Sequence, residues 1–181
     1  MMAWSTSRRS RMIEKLSLAV DLARQRLLVR VGPRVLAEYS VSTARNGPGE
    51  RMHSECTPRG RHAIAEKIGA GAPAGAVFVG RVPTGEIYTP ALAAAQPERD
   101  WILTRILWLE GLEPGVNRGG EVDSKARYIY IHGTPDETDL SRPGSRGCVR
   151  MRNADLIALF ERVEIGTPVS IHDGAAVASR C

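Results

Sequence analysis

Along residues 16–43 apolar and polar side chains alternate in three short runs, LSLAVDL, QRLLVRVG and RVLAEYSVST. That period of two is the mark of half-buried strands, and Gly32 with Pro33 between the last two runs predicts a meander. Residues 44–60, ARNGPGERMHSECTPRG, have the composition of a loop, and RHAIAEKIG after them returns to a strand pattern. Within the Gly/Ala-rich stretch that follows, AVFV demands burial and predicts one strand over Val77 to Val82. DWILTRILWLEG suits strand or helix by periodicity, and its β-branched and aromatic content favours strand. RYIYIHG is the clearest strand, with Ile129 and Ile131 on one face, Tyr128, Tyr130 and His132 on the other, and its end at Gly133. Helical spacing is found in ADLIALFERV, where Leu156, Ile157, Phe160 and Val163 form a face; Asn153 is placed to cap this helix and Gly166 to stop it before a last strand, TPVSIHD. The pattern predicts one mainly β domain with one good helix.

Composition narrows the function. A chain of 181 residues, 43% hydrophobic and 25% charged, suits a single domain with its own core. The net charge of +5 favours an acidic partner, but arginines are scattered from Arg8 to Arg180 and aromatic residues are only 5%. Nucleic-acid surfaces concentrate their basic residues and add stacking aromatics, so a small anionic ligand is the better expectation. No run approaches the ~18 apolar residues of a membrane span. Glu14, Lys15 and Asp21 interrupt any apolar core of a signal peptide, so the expected setting is cytoplasmic, with no membrane partner. Residues 1–11 are expected to be a leader, 12–174 the folded domain and 175–181 a tail. Cys56, Cys148 and Cys181 are odd in number and far apart, which implies no disulfide framework.

One of those cysteines is framed unusually. In SRPGSRGCVRM, Cys148 sits between Gly147 and Val149 with arginines close by, in a segment too rich in Ser, Pro and Gly for a helix interior. A thiol becomes a nucleophile when an imidazole, a cationic surround or aimed N–H groups favour its thiolate. Arg146 and Arg150 offer charge, and with His132 they predict a thiol titrating below the ordinary ~8.5. Gly147 allows close approach of a carbonyl, so the N–H groups of Gly147 and Cys148 are candidates for an oxyanion hole. His132, at a strand end, is the natural base. Taken one at a time, a lone Cys and a lone His also suit plain packing roles. His53, Cys56 and His62 could in principle bind zinc with Cys148 or His132, but their spacing matches no tight ligand pattern, and no metal or other cofactor is expected. His62 is expected in a sheet and His172 on a strand surface. The basic set Lys125, Arg127, Arg142, Arg146, Arg150 and Arg152 fits a ligand with several carboxylates, or equally a solvated face.

IHGTPDE, then SRGCVRM, then NADLIALFERVEIGTPVSI together resemble the L,D-transpeptidase catalytic (YkuD) domain family, with YSVSTARNG and TPRGRHAI resembling its earlier segments, from Leu16 to Ile171. The resemblance implies a β-sandwich-like fold with one or two helices and the cysteine at the mouth of a cleft. It implies Cys148 as nucleophile and His132 as acid/base, oriented by the Gly133 carbonyl. Ser145, Gly147 and Arg150 would shape the site, with Arg146 and Arg150 as substrate-binding residues. The partner implied is a muropeptide or peptidoglycan stem peptide. Where the family motif has histidine before Gly-Cys, this chain has Arg146. That departure and the expected lack of export point to the family's hydrolytic branch, L,D-carboxypeptidases that trim terminal D-Ala from tetrapeptides. A cross-linking L,D-transpeptidase and a non-catalytic fragment-binding domain are the alternatives.

Overall fold

The computed structural model describes residues 15–174; the leader expected at 1–11, the tail at 175–181 and Cys181 lie outside the described residues. Ten strands are formed: β1 (Leu16–Asp21), β2 (Arg26–Val31), β3 (Arg34–Ser42), β4 (Gly60–Ile68), β5 (Ala76–Val79), β6 (Val82–Ile87), β7 (Ile102–Gly111), β8 (Tyr130–Gly133), β9 (Val149–Met151) and β10 (Pro168–His172). Two α-helices join them, α1 (Pro90–Ala95) and α2 (Asn153–Arg162). The strands follow the order β4-β10-β1-β2-β3-β9-β8-β7, and β7 pairs back onto β4, while the β5–β6 hairpin extends from β7. The expected β-sandwich is therefore a single sheet closed on itself. Closure leaves the main ring of strands without a bare edge.

The inside of that ring is apolar because alternate residues of each strand face it. Val20, Leu27, Val29, Ile64, Leu107 and Ile131 are fully buried there. Helix α2 plugs the ring with Leu156, Leu159, Phe160 and Val163, while Ile157, expected on the same face, is only half-buried. The residue at its N-cap is Arg152, which makes no side-chain capping bond. A good cap is worth ~1 kcal/mol, whereas burying four such side chains contributes roughly 6–12 kcal/mol. Packing decides the helix. Asn153, expected to cap, is instead its first residue: Nδ2 donates to the Thr134 carbonyl at 3.1 Å, and Oδ1 accepts from Thr104 Oγ1 at 2.6 Å. The amide thus ties α2 to the strand ends beside Gly133.

Two expectations are corrected. Residues 77–82 are not one strand but parts of β5 and β6, joined at Gly80 and Arg81, whose φ angles of 54° and 69° are both positive. Two consecutive left-handed residues are what a tight hairpin turn needs. The strand expected over residues 127–133 begins only at Tyr130, because Tyr128 lies in the preceding turn with a φ of 57°, and the four residues of β8 are all buried. Ile131 points into the ring, and Tyr130 and His132 point to the other side, beneath the β5–β6 hairpin.

Candidate active site

Parallel pairing of β8 with β9 sets Ile131 beside Val149 and His132 beside Arg150. Cys148, one residue before β9, comes to lie next to Tyr130. The Tyr130 N–H is directed at Cys148 Sγ at 3.4 Å, and Sγ in turn lies 3.4 Å from the Tyr128 carbonyl. Cys148 and His132 line one cleft of about 470 Å³, together with Arg81, Asp100, Tyr128, Ser145 and Arg146.

His132 is held from behind. Its Nδ1 is 2.7 Å from the Gly133 carbonyl. A carbonyl can only accept, so Nδ1 carries the proton and, in the neutral ring, Nε2 keeps the lone pair. Gly133 must be glycine for space: a Cβ there would fall 2.5 Å from the Leu103 carbonyl oxygen and 2.4 Å from Asn153 Oδ1.

The turn before Cys148 is fastened by two distant segments. Gly144 and Ser145 donate their N–H groups to the Thr43 carbonyl at 2.9 Å each, and Arg45 N–H donates to the Ser145 carbonyl at 2.9 Å. Thr57 Oγ1 donates to the Gly147 carbonyl at 2.9 Å and accepts from Ala44 N–H at 3.0 Å. The three sequence segments STARNG, TPRG and SRGC are therefore one hydrogen-bonded unit. Ser145 Oγ donates to the Cys148 carbonyl at 2.5 Å and accepts from Gly147 N–H at 3.2 Å, so the Gly147 amide is engaged within the turn.

Gly147 has φ of 126°, and a Cβ would meet the Cys56 carbonyl oxygen and Ile129 Cδ1 at 3.2 Å each. Gly147→Ala is expected to lower stability by about 1–2 kcal/mol from the left-handed backbone. The turn should shift by part of an ångström, costing about ten- to a hundred-fold in reactivity at Cys148. Thermal unfolding and the alkylation rate of Cys148 measure the two effects. An unchanged rate would mean that the turn does not set the thiol.

The two arginines beside Cys148 differ. Arg150 is held by Asp100, with Nη2 2.9 Å from Oδ1, and its Nη1 donates to the Gly144 carbonyl at 3.1 Å. Arg146 is exposed, makes no ion pair among the described residues, and borders the Cys148 cleft and two neighbouring ones. Of the other basic positions, Arg127 is half-buried and donates to the carbonyls of Gly49, Glu50 and Cys56, stapling the 49–56 loop to the site. Lys125 pairs with Glu66, Arg142 with Asp139, and Arg152 donates to the Pro135 and Asp136 carbonyls. His53 is exposed in the 49–56 loop, His172 lies half-buried in β10, and His62 is buried with its ring nitrogens toward Ser124 and the Gly60 carbonyl.

The thiol does not rest as the sequence suggests. Burial pushes Cys148 up to about 12; the Tyr130 N–H opposes this, Asp100 adds to it, and Arg150 and Arg127 oppose it too weakly to prevail. The expected depression fails because burial outweighs the two cations that oppose it, Arg150, which is paired with Asp100, and Arg127, which is bonded to the 49–56 loop. Burial also pushes His132 below its ordinary value, against its bond to Gly133 and the charge of Asp100. The resting pair is neutral thiol and neutral imidazole. Asp100, Thr57 and the Tyr130 amide are site groups that spacing does not reveal, because it is blind to contacts made across strands, and Arg127, expected among ligand-binding cations, instead braces the 49–56 loop.

A thiol and an imidazole carried on neighbouring parallel strands and lining one cleft, beside a glycine-bearing turn, are the arrangement of a cysteine-dependent site. The chain belongs to the L,D-transpeptidase catalytic domain family, YkuD, which matches residues 16–171. It is 40% identical over 47 residues to the putative L,D-transpeptidase YqjB of Bacillus subtilis, covering 26% of this chain and 27% of that protein. It is 45% identical over 47 residues to the probable L,D-transpeptidase YbiS of Escherichia coli, covering 26% of this chain and 15% of YbiS. Among solved structures, L,D-transpeptidase 3 from Mycobacterium tuberculosis, in complex with a faropenem-derived adduct, superposes with a TM-score of 0.54 at 14% identity, covering 87% of this chain and 60% of that one. An L,D-transpeptidase from Xylanimonas cellulosilytica superposes with a TM-score of 0.52 at 20% identity, covering 90% and 62%. The chain thus spans less than two thirds of each of these relatives, and these structural likenesses concern the fold.

Proposed function

We propose that this chain is a cysteine L,D-carboxypeptidase that removes terminal D-Ala from muropeptide tetrapeptides, with Cys148 as nucleophile and His132 as acid and base. A cytoplasmic setting belongs to the same proposal. The observation that carries it is the shared cleft: Cys148, His132 and Arg146, which makes no ion pair among the described residues, line one space. The thiol proton passes to His132 Nε2 as Sγ bonds to the carbonyl carbon at the L-centre of the diamino acid. The tetrahedral adduct collapses, its C–N bond breaks, and the departing D-Ala amine takes the proton from the imidazolium. A thioester on Cys148 remains. Water then attacks, giving its proton to His132, and release of the tripeptide carboxylate returns the thiol. The exposed guanidinium of Arg146 is suited to hold the terminal D-Ala carboxylate through paired N–H bonds.

Cross-linking is the second reading, and a second groove favours it. Met52, His53, Tyr128, Ile129 and Arg146 border a separate space of about 330 Å³ beside the site, through which an acceptor amine could approach the thioester. Incubation with a disaccharide-tetrapeptide and mass analysis divides the cases. Loss of one Ala supports the carboxypeptidase, a dimer supports the transpeptidase, and an unchanged mass means a binding domain and sinks both.

Arg146→His tests the carboxylate contact, since it restores the histidine of the family motif and leaves thiol and base in place. Losing a charge-assisted bond is worth ~1.5–3 kcal/mol, so kcat/KM for tetrapeptide should fall by about ten- to a hundred-fold. With a substrate amidated at its terminus the penalty should shrink, because the partner charge is already absent. Equal penalties on both substrates would make Arg146 a bystander.

A further inference from the structure

Among the described residues lining the Cys148 cleft, Asp100 is the only carboxylate. It lies just ahead of β7, and its ion pair with Arg150 has Nη2 2.9 Å from Oδ1. Arg150 is 18% exposed along its side chain, and its Nε is buried without a partner, so the guanidinium is held through its outer nitrogens, one on Asp100 and one on the Gly144 carbonyl. Gly144 opens the turn that ends at Cys148. A rigid line therefore runs from Asp100 through Arg150 to the nucleophile's own turn.

We propose that Asp100 is a positioning residue for the thiol–imidazole pair: its carboxylate fixes Arg150 and the turn at Gly144, and it supplies the negative charge against which His132 becomes cationic. This rests on Cys148 and His132 being the reacting pair. Proton transfer between them creates an anion on sulfur and a cation on the ring, so each nearby charge favours one and opposes the other.

The other groups facing the pair are cations or phenols. Arg150 comes from β9, Arg146 from the turn before it, and Arg127 and Tyr128 from the segment before β8. Tyr130 belongs to β8 itself. Arg81, from the β5–β6 turn, donates to Tyr130 Oη at 2.9 Å and lies 4.5 Å over the Trp108 ring. Without Asp100 the cleft would be purely cationic, which favours thiolate and opposes imidazolium. With it, the acid acts more strongly than Arg150 on both His132 and Cys148, holding the proton on the pair. Burial first, and Asp100 after it, leave the empty enzyme with a neutral thiol, and Asp100 supports the imidazolium once a substrate carbonyl draws the sulfur forward.

Asp100→Asn preserves size and an acceptor for Arg150 while removing the charge. Iodoacetamide alkylation of Cys148 at pH 7.5, located by peptide mass mapping, should become about three- to thirty-fold faster, since thiolate below its pKa rises tenfold per unit of downward shift. Tetrapeptide turnover should fall about tenfold or more, with its acid limb moved to lower pH. Arg150→Gln should shift alkylation the opposite way, and Asp100→Glu should restore the parent profile. If Asp100 were only a brace for the turn, Asp100→Asn and Arg150→Gln would move alkylation in the same direction. Such a result, or a profile unchanged in Asp100→Asn, overturns the proposal. Turnover that survived in Cys148→Ala would be a different failure, of the reacting pair itself.

Discussion

Cys148→Ala is expected to abolish product formation from a tetrapeptide, by about four to six orders of magnitude in kcat, while the fold persists. The size follows from the proposed chemistry. Without sulfur there is no thioester and no second half-reaction, and removing a covalent nucleophile costs on this scale in enzymes whose reacting groups act as a unit. The structural cost is small because the side chain is half-buried against a cluster containing Phe78, Ile106 and Tyr130, and only one atom is deleted. A change of about 1 kcal/mol or less is expected, which would move Tm by only a few degrees. The comparison that matters is therefore turnover against thermal unfolding in the same preparation. Cys56→Ser is the matched control, since Cys56 is the other free thiol among the described residues. Substantial tetrapeptide turnover in Cys148→Ala would end the proposed mechanism.

How far this site could be read without coordinates depends on what kind of contact builds it. Cys148, Gly147 and Ser145 are neighbours in the chain, and His132 precedes the Gly133 that orients it, so a local motif carries them. Strands β1 to β4 and β10 are likewise written in their own alternation, while β7, buried along most of its length, is betrayed only by its β-branched and aromatic content. What the pattern cannot carry is register between distant segments. Pairing of β4 with β7, which closes the sheet, joins Ile64 to Leu109 and leaves no mark in either strand. The same holds for Asp100, which reaches Arg150 only because β7 and β9 both flank β8. The hairpin at Gly80 and Arg81 is hidden because arginine is no usual turn former and valines, Val79 and Val82, flank the turn on both sides. Helix α1 has six residues and none of them buried, so no amphipathic period announces it. The basic residues misled for a related reason: a sequence counts charges, while the thiol responds to those left unpaired in its cleft and to its own burial.

His132→Ala should lower kcat/KM for the tetrapeptide by about two to four orders of magnitude, the usual scale for losing a positioned acid and base. It should leave a protein that still alkylates slowly at Cys148 at high pH. The pH dependence separates the proposed role from a packing role. Burial lowers the imidazole pKa in the folded chain, so His132 stays neutral below its ordinary ~6.5. The parent enzyme should therefore keep its activity as pH falls through that value and lose it only further into acid, where protonation removes the base. The thiol is pushed up to about 12, so direct ionisation supplies little thiolate at neutral pH. Turnover near neutrality must then depend on proton transfer to Nε2. In His132→Ala that route is gone, and the remaining rate should climb with pH, tracking hydroxide across the neutral range instead of levelling. A parent profile whose acid limb sits above 6.5, or a His132→Ala profile of the same shape as the parent's, would assign the proton to another group. With Nδ1 bonded to the Gly133 carbonyl at 2.7 Å, the base is the other ring nitrogen, and His132→Gln, which has no basic nitrogen, should be as inactive as the alanine variant even if it fills the space.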